Sequence, residues 1–586
     1  MCGIVGYIGD KNGANVVVDG LKKLEYRGYD SWGLAGKKDK EIISHKQVGK
    51  IGGFNLEKDL PKFSAQICIG HTRWATHGGV TKNNSHPHFS CDKKIAVVHN
   101  GIVENYQQLR KKLEGKGHKF SSQTDTEVIA HLIEEYCKNK KFEDAVRASL
   151  KDIDGSYALA IINTKDDILI GARQGSPLIF GIGQNEFFLA SDVPAVIKYT
   201  KDVIFLDEMQ MVVADRNKYE VLNIKSGKKI RAKVSKIKWS IEEAEKGGHP
   251  HFMIKEMLEQ PQVIKKTIGT DKQDLKGAAQ MIASANNIYV VACGTALHAG
   301  MYGSYLFSIE NNVMLQAISA GEFPYFAHLL KKDDLVITVS QSGETADVLE
   351  AVKSAHKSKA KVLSLVNVLG SSLMRASDQS ILTKAGPEIC VLSTKAYTSQ
   401  MAMFAMISAT LNGKNPKTAL KKIESDIEKI LSKRNSIKKI AERLSKADNI
   451  YGLGRGVNYP NALEACLKIK EVSYIHAEGF AGGDLKHGPI ALIDKGTPVI
   501  VFATNDEYEK EIISNAMEVK ARGAFVIGIS PNKNEVFDEY LPIDANKNLS
   551  PIASIIYPQL MAYYIALKKK LDPDKPRNLA KSVTVK

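Results

Sequence analysis

Cys2 stands next to the small Gly3, and a side chain as small as cysteine permits removal of Met1 during maturation. The chain is then expected to begin with a cysteine that carries its own base. An α-amine, with an ordinary pKa of about 7.7 to 8.0, can accept the proton of the thiol on the same residue and so activate it as a nucleophile. The competing reading is a buried cysteine that starts a strand. Three further segments gather complementary chemistry: Tyr26-Arg27-Gly28-Tyr29-Asp30-Ser31, His71-Thr72-Arg73-Trp74-Ala75-Thr76-His77-Gly78 and His99-Asn100-Gly101-Ile102-Val103-Glu104-Asn105. Arg73 offers a two-pronged grip on a carboxylate, Asn100 with the Gly101 N–H an oxyanion hole, and Asp125 a partner for an ammonium. Carboxylate, ammonium and reactive carbonyl together describe an amino acid with an electrophilic side chain. Each group also has a plain structural reading: a surface ion pair for Arg73, a hairpin turn for Asn100-Gly101, a helix-start acid for Asp125.

A second set lies far downstream. Leu335-Val336-Ile337-Thr338-Val339 runs into Ser340-Gln341-Ser342-Gly343-Glu344-Thr345 and then a helical pattern. A hydroxyl-rich, glycine-containing turn between a strand and a helix N-terminus suits a phosphate, because backbone N–H groups and hydroxyls converge where the helix dipole favours an anion. Plain N-capping is the alternative. Cys293-Gly294-Thr295 and Val391-Leu392-Ser393-Thr394-Lys395 repeat the theme. Lys468-Ile469-Lys470-Glu471-Val472-Ser473, Asp484-Leu485-Lys486-His487-Gly488-Pro489 and the tail from Arg577 to Lys586 add carboxylate, imidazole and amine. Those are the parts needed to open a sugar ring, form an imine and move a proton between adjacent carbons, although each residue could equally decorate a helix face or a turn.

Other chemistries are less well served. His71, His77, His86, His88 and His99, with Cys68 and Cys91, invite a zinc reading, but no tight Cys or His pair is matched by a second, so no metal is expected. The formal net charge of +16 arises from 81 basic and 65 acidic residues that are scattered in short groups such as Arg110-Lys111-Lys112. Without a basic stripe or aromatic interleaving, nucleic acid is not an expected partner. Seven widely and irregularly spaced cysteines predict reduced thiols and a cytoplasmic address, and no signal-peptide pattern is read at the N-terminus. The uncharged stretches Ala396 to Gly413 and Ser550 to Leu567 contain polar residues and are expected as buried helices, so no membrane association is expected.

The elements that must position these groups follow from periodicity. At 586 residues the chain has room for about three or four domains. Residues 2–230 read as short β-type runs with few helices, which predicts packed sheets. One helix is marked by Thr124-Asp125-Thr126-Glu127, a capping-box pattern, followed by Val128, Leu132, Ile133 and Tyr136 at helical spacing. A charged connection is expected over 231–265. Strand, turn and helix then alternate, as in α/β layers around a parallel sheet. Asn287-Ile288-Tyr289 resembles Asn449-Ile450-Tyr451, Leu335-Val336-Ile337 resembles Pro498-Val499-Ile500, and Ala360-Lys361-Val362 resembles Gly523-Ala524-Phe525, at offsets of 162 or 163 residues. Two copies of one domain are therefore expected, over 266–430 and 431–575, with a tail at 576–586. In the second copy the phosphate turn becomes Ala503-Thr504-Asn505-Asp506-Glu507, where acids repel an anion, so phosphate is expected in the first copy only.

The motifs before residue 126 resemble those of the N-terminal-nucleophile glutamine amidotransferases. That resemblance implies a four-layer αββα fold, glutaminase chemistry with Cys2 as nucleophile, and Asn100 and Gly101 as oxyanion hole. It also implies Arg73, Thr76, His77 and Asp125 as glutamine contacts and Trp74 as the gate of an ammonia channel. The later segments resemble the tandem sugar-isomerase (SIS) domains of those amidotransferases that aminate fructose-6-phosphate, and the resemblance spans the chain in the same order. It implies Glu471 as proton-transfer base, His487 as ring-opening residue, Lys581 as Schiff-base lysine, and Thr295, Ser340, Gln341, Ser342, Thr345, Val391, Ser393 and Lys468 as sugar-phosphate contacts. It further implies glutamine and fructose-6-phosphate as substrates, glucosamine-6-phosphate and glutamate as products at the entry to amino-sugar synthesis, no cofactor, and a homodimer whose partner supplies the histidine. Trp32, Ala296, Leu392 and the final Lys586 depart from the usual pattern. The loss of a hydroxyl at 296 touches a substrate contact, and Trp32 can reshape the wall of the glutamine domain. The short stretch from 225 to 262 points to a bacterial-type form. The alternatives are another glutamine amidotransferase, for whose nucleotide substrates no P-loop or comparable signature is found, and a sugar-phosphate-sensing regulator, which would need neither Cys2 nor Lys581.

Overall fold

A computed structural model describes residues 2–237, 243, 245–415 and 417–584. The chain divides into two compact units, Met1–Ala244 with Ala580–Lys586, and Glu245–Leu579.

The first unit is built from two antiparallel sheets, one of eight strands and one of seven. Gly3–Gly9 lies centrally in the first sheet, paired with Ile67–Arg73 on one side and Glu186–Ala190 on the other. Ile95–Val103 pairs with Gly155–Asn163 in the second. Alternation along these strands sends Ile4, Ile8, Ile67 and Ile69 of one sheet and Ala96, Val98, Ala160 and Ile162 of the other into a shared apolar core. The opposite faces are covered by helices. Gly13–Lys23 packs on the first sheet through buried Val17 and Leu21, and Glu127–Cys137 with Phe142–Ser149 covers the second through Val128, Leu132, Ala145 and Val146. The result is four layers, helix, sheet, sheet, helix, in agreement with the expected αββα arrangement.

The helix at Glu127 begins differently from the sequence expectation. Thr126 is already helical and no side chain caps the helix. The Glu127 carboxylate instead accepts from the backbone and hydroxyl groups of both Ser121 and Ser122, at 2.7 to 2.8 Å. Thr124 Oγ1 is engaged by His88 Nε2 at 3.0 Å. Four donors converging on one carboxylate outcompete a single cap amide, so the capping box does not form.

The second unit holds two five-stranded parallel sheets with one topology. The strands run in the order second, first, third, fourth, fifth, namely Gln316–Ser319, Ile288–Ala292, Leu335–Ser340, Lys361–Val366, Gln379–Leu382, and again His476–Ala481, Asn449–Gly454, Pro498–Phe502, Phe525–Ser530, Glu539–Pro542. The matched sequence segments are the first, third and fourth strands of each copy. Helices Lys395–Leu411 and Ile556–Lys568 are buried around most of their circumference, as their uncharged sequences predict, and they join both copies in one core with Met403, Phe404, Leu560 and Met561. No helix among the described residues is long and apolar enough to cross a membrane.

Within the stretch expected to connect the halves, Val234–Lys236 pairs with Asp202–Ile204 in the first unit, and Phe252–Leu258 and Gln260–Ile268 are helices of the second. Asp574 caps the first of these, accepting the N–H groups of Phe252 and Met253 at 2.8 Å. Of the expected connection, Lys238 to Glu242 and Ala244 lie outside the described residues, as do Val585 and Lys586 of the tail.

Candidate active sites

Cys2 lies at the head of the central strand Gly3–Gly9, half-buried. Its thiol meets the backbone of Trp74 twice: the Trp74 N–H donates to Sγ at 3.2 Å, and the Sγ–H donates to the Trp74 carbonyl at 3.5 Å. Burial pushes the thiol up from its ordinary pKa, against the Trp74 N–H and the Arg73 and Arg27 guanidiniums, which pull it down. The Cys2 carbonyl is held by Asn100 Nδ2 at 2.9 Å and Arg27 Nε at 3.2 Å.

Asn100 and Gly101 are not a hairpin turn; they lie inside Ile95–Val103, opposite Ala158 and Tyr157. His71 Nε2 contacts Asn100 Oδ1 at 3.0 Å, and Asn100 Nδ2 also donates to Ser191 Oγ at 2.8 Å, which fixes the amide beside Cys2. Gly101 has φ +136°, and a Cβ there would sit 2.0 Å from the Ser156 carbonyl oxygen, so only glycine fits. Asp125 is buried just before the helix and accepts the Val103 N–H at 2.8 Å, which ties it to the end of the same strand.

Arg73 is buried, not a surface ion pair. Its guanidinium donates to the carbonyls of His77, Gly78 and Gly79, at 2.5, 3.0 and 3.1 Å, and so shapes the loop after Ile67–Arg73. Thr76 is exposed on that loop, and the His77 ring meets Tyr106 edge-on at 5.6 Å. Trp74 packs edge-on against Tyr29. Trp32 is fully buried between His45 and Phe54 and fills the outer side of its sheet. Ser191, which helps orient Asn100, belongs to no motif in the sequence, and His71, which heads one, gave no sign that its partner is Asn100.

In the second unit, the crevice outside the carboxyl ends of the first and third strands is where a sheet of this order binds ligands. In copy one, Cys293-Gly294-Thr295 follows the first strand and Ser340 to Thr345 follows the third. Ser340 Oγ accepts the Gly343 N–H at 2.9 Å and lies 3.2 Å from Thr345 Oγ1, Ser342 Oγ accepts the Glu344 N–H at 3.1 Å, and Gly343 adopts φ +66°. Gln341 is half-buried in the same turn. Ser393 donates to Glu388 at 2.8 Å, and the buried Val391 donates its N–H to the Asp574 carbonyl. In copy two, Asn458 Nδ2 donates to Thr504 Oγ1 and to Asp506 Oδ2, both at 2.7 Å, so the equivalent turn is occupied by its own carboxylate.

Lys468 and Glu471 project from the helix Tyr459–Ser473 together with Glu464, which sequence reasoning did not single out although it stands one turn before Lys468. Lys468 Nζ contacts Glu471 Oε2 at 2.8 Å, Thr295 Oγ1 at 3.0 Å and Glu464 Oε1 at 3.3 Å; His298 Nδ1 lies 2.7 Å from Glu464 Oε2. Burial alone would lower the Lys468 ammonium, but Glu464 and Glu471 outweigh it and hold it above the ordinary lysine range. This network joins the first-strand turn of copy one to a helix of copy two. His487 is exposed at the end of a short helical turn, followed by Gly488 at φ +140°. Lys581 is half-buried in the tail that groups with the first unit, just beyond Arg577, whose guanidinium stacks 4.2 Å from the Tyr474 ring.

A glutamine amidotransferase domain model matches residues 71–198, and a SIS domain model matches residues 281–409 and 443–569. The chain is 44% identical over 611 aligned residues to a glutamine-fructose-6-phosphate aminotransferase (isomerizing) of Clostridium tetani, and 43% identical over 601 to one of Thermococcus kodakarensis; the whole of both chains is covered in each case. Among solved structures it resembles the C-terminal domain of glucosamine-fructose-6-phosphate aminotransferase from Francisella tularensis, with a TM-score of 0.53 and 35% identity over 56% of this chain and 99% of that one. A tagatose-6-phosphate ketose/aldose isomerase structure from Clostridium novyi, at 19% identity and a TM-score of 0.51 over 57% of this chain and 93% of that one, shares the fold.

Proposed function

The chain belongs to the family of isomerizing glutamine-fructose-6-phosphate aminotransferases, and from that premise we propose that it hydrolyses glutamine in its first unit and aminates and isomerises fructose-6-phosphate in its second. The observation that carries the reading is the enclosure of Cys2 by Trp74 and Asn100 at the head of a central strand, in a chain that also holds a duplicated sugar-isomerase unit.

In the first unit, Cys2 Sγ attacks the glutamine side-chain carbonyl once removal of Met1 has freed the α-amine to act as base. The oxyanion is met by the Gly101 N–H and by Asn100 Nδ2, which exchanges one of its contacts to the Cys2 carbonyl and Ser191 for it; ammonia leaves, and water releases glutamate from the thioester. Arg73, Thr76, His77 and Asp125 hold the α-carboxylate and α-ammonium, and Trp74 gates the departing ammonia. In the second unit, the phosphate seats on Ser340 to Thr345, with Gln341, Thr295, Val391, Ser393 and Lys468 around the sugar. His487 opens the ring, Lys581 forms an imine at the ketone carbon that ammonia then displaces, and Glu471 carries the proton from C1 to C2. We assign residues 2–230 to the glutaminase, 266–430 and 431–575 to the two sugar-isomerase copies, and 576–586 to an active-site tail. The exposure of His487 within its own chain supports a homodimer in which it serves the neighbouring copy. Seven free cysteines support a reducing, cytoplasmic setting, and the product supports a place at the start of amino-sugar synthesis.

Purified protein supplied with glutamine and fructose-6-phosphate should yield glutamate and glucosamine-6-phosphate in equal amounts. Glutamate without the amino sugar would reject the assignment of the second unit, and neither product would reject both.

A further inference from the structure

On the side of the first unit away from Cys2's sheet, four side chains from three separate segments converge. Cys91 lies in the loop between His88–Phe89 and Ile95–Val103, His118 in the loop after Tyr106–Glu114, and His131 and Glu134 one turn apart on Glu127–Cys137. One ligand atom of each, the Cys91 sulfur, a ring nitrogen of His118 and of His131 and a carboxylate oxygen of Glu134, lies within 4.8 Å of all the others. The thiol is 3.6 Å from His118 Nδ1 and 3.4 Å from His131 Nδ1, and Glu134 Oε2 is 3.1 Å from the first nitrogen and 3.5 Å from the second. A tetrahedral zinc shell with bonds of roughly 2.3 Å to sulfur and 2.0 to 2.1 Å to nitrogen and oxygen has edges of about 3.6 Å for S···N and about 3.3 Å for N···O. Four of the six edges therefore already stand near those of a bound ion.

The outer contacts fit the same assignment. His118 Nε2 lies 3.1 Å from Glu135 Oε2, and His131 Nε2 lies 3.6 Å from Glu127 Oε1. The Glu135 carboxylate is within hydrogen-bond reach of His118 Nε2 and Glu127 stands near His131 Nε2, the kind of outer partner that orients a metal-binding histidine with Nδ1 towards the ion. Two ring nitrogens, a carboxylate oxygen and a thiol sulfur face one another there. The Lys119 N–H donates to Cys91 Sγ at 3.4 Å, and the Cys91 and Asp92 N–H groups donate to Glu134 at 3.0 and 3.3 Å, so the sulfur and the carboxylate are held in place by backbone. Both histidines are buried, and Cys91 is exposed, which leaves an entry path.

We propose that Cys91, His118, His131 and Glu134 form a structural zinc site. Binding releases the thiol proton to solvent as the zinc–sulfur bond forms, with no change of oxidation state. The S, N, N, O donor set suits zinc, and four protein ligands leave no open position, which makes the role structural and not catalytic. The ion would clamp the loop around His118 and the loop around Cys91 to Glu127–Cys137. Through Glu127, which grips Ser121 and Ser122, that clamp steadies the approach to Asp125.

The full chain, stripped with chelator and reloaded with cobalt(II), should take up one equivalent and show ligand-field bands of a tetrahedral site with a thiolate-to-cobalt charge-transfer band. Competition against a chromophoric chelator should show one tight zinc site. Cys91→Ser should abolish the charge-transfer band and His131→Gln the tight site, while Glu135→Gln should weaken zinc by about tenfold. Cys2→Ala should keep the full spectrum, since the other reactive thiol is not a ligand. A wild-type chain that binds no more metal than Cys91→Ser, or a charge-transfer band that survives in Cys91→Ser and vanishes in Cys2→Ala, would overturn the assignment.

Discussion

Lys468→Met tests the network that links the two copies of the sugar-isomerase domain. The ammonium is fully buried and stands between Glu464, itself inaccessible to solvent, and Glu471, with a third contact to Thr295. Methionine fills a similar volume but leaves Glu464 without the lysine, in contact with the Thr295 hydroxyl and His298. Removing one partner of a buried ion pair costs about 3 to 5 kcal/mol, most of it the desolvation of the charge left behind. Lys468→Met/Glu464→Gln removes both charges and should regain most of the loss. All three tryptophans, Trp32, Trp74 and Trp239, precede residue 245. Urea unfolding followed by tryptophan emission therefore reads the first unit, and far-ultraviolet circular dichroism reads the helix-rich second unit as well. The single variant should lower the dichroism transition more than the emission transition. A single variant within 1 kcal/mol of wild type, or a double variant whose loss is the sum of the two singles, would refute an isolated buried charge as the cause.

Gly101→Ala places a methyl group against the Ser156 carbonyl and forces φ away from +136°, so the N–H offered to the oxyanion is displaced; glutamine hydrolysis should fall by about 10²- to 10³-fold, and an unchanged kcat would remove Gly101 from the oxyanion hole. Ser342→Ala should weaken fructose-6-phosphate binding by about 1.5 to 3 kcal/mol, whereas Thr504→Ala, in the turn already filled by Asp506, should leave it unchanged in calorimetric titration; equal losses would contradict the unequal copies. Burial lowers His71 to about 3 and His86 well below the ordinary histidine range. These histidines hold fewer protons folded than unfolded, so their stabilisation is complete above an unfolded pKa near 6.5 and is lost as pH falls from there towards 3. At pH 5 the lowering at His71 alone costs about 2 kcal/mol. The emission-detected melting temperature should drop between pH 7.5 and 5, and less so in His71→Gln; identical drops would mean that His71 is not buried in its neutral form.

Much of the architecture was legible because its signals are periodic. The constant offset of 162 or 163 residues falls on strands that occupy equal positions in two sheets of identical order. The uncharged runs that form Lys395–Leu411 and Ile556–Lys568 bury nearly every residue, as helices apolar on all sides must. Boundaries and caps were less legible. The pattern Thr124-Asp125-Thr126-Glu127 satisfies a capping rule stated for neighbours within one turn. In the folded chain Glu127 has four donors from Ser121 and Ser122, and Thr124 has His88, a residue 36 positions away. A local rule cannot weigh a distant partner.

The same reasoning separates the proposed site residues that the sequence displays from the contacts it hides. Cys2, Asn100-Gly101 and Ser340 to Thr345 are visible in the sequence because each carries its chemistry within a few consecutive residues, where a thiol, an amide beside a glycine or a run of hydroxyls suggests a ligand. Glu464 and His298 act across 166 residues, and nothing in either segment names the other. The proposed zinc cluster is hidden in the sequence for a related reason. Tight pairs are the usual signal, and the sequence sets Cys91 and Cys68 among His71, His77, His86, His88 and His99. The fold stacks His71 on His86, with centroids 4.0 Å apart, and sets His88 edge-on to His86 at 4.7 Å. Cys91 is turned towards His118 and His131, 27 and 40 residues on, because Glu134 anchors the N–H groups of Cys91 and Asp92 to the helix that also carries His131. Ligand spacing is tight only when one hairpin or one turn supplies both ligands; when a helix packs across a sheet, the packing sets the distance, and His131 with Glu134 at i and i+3 is the one trace of the cluster left in the sequence.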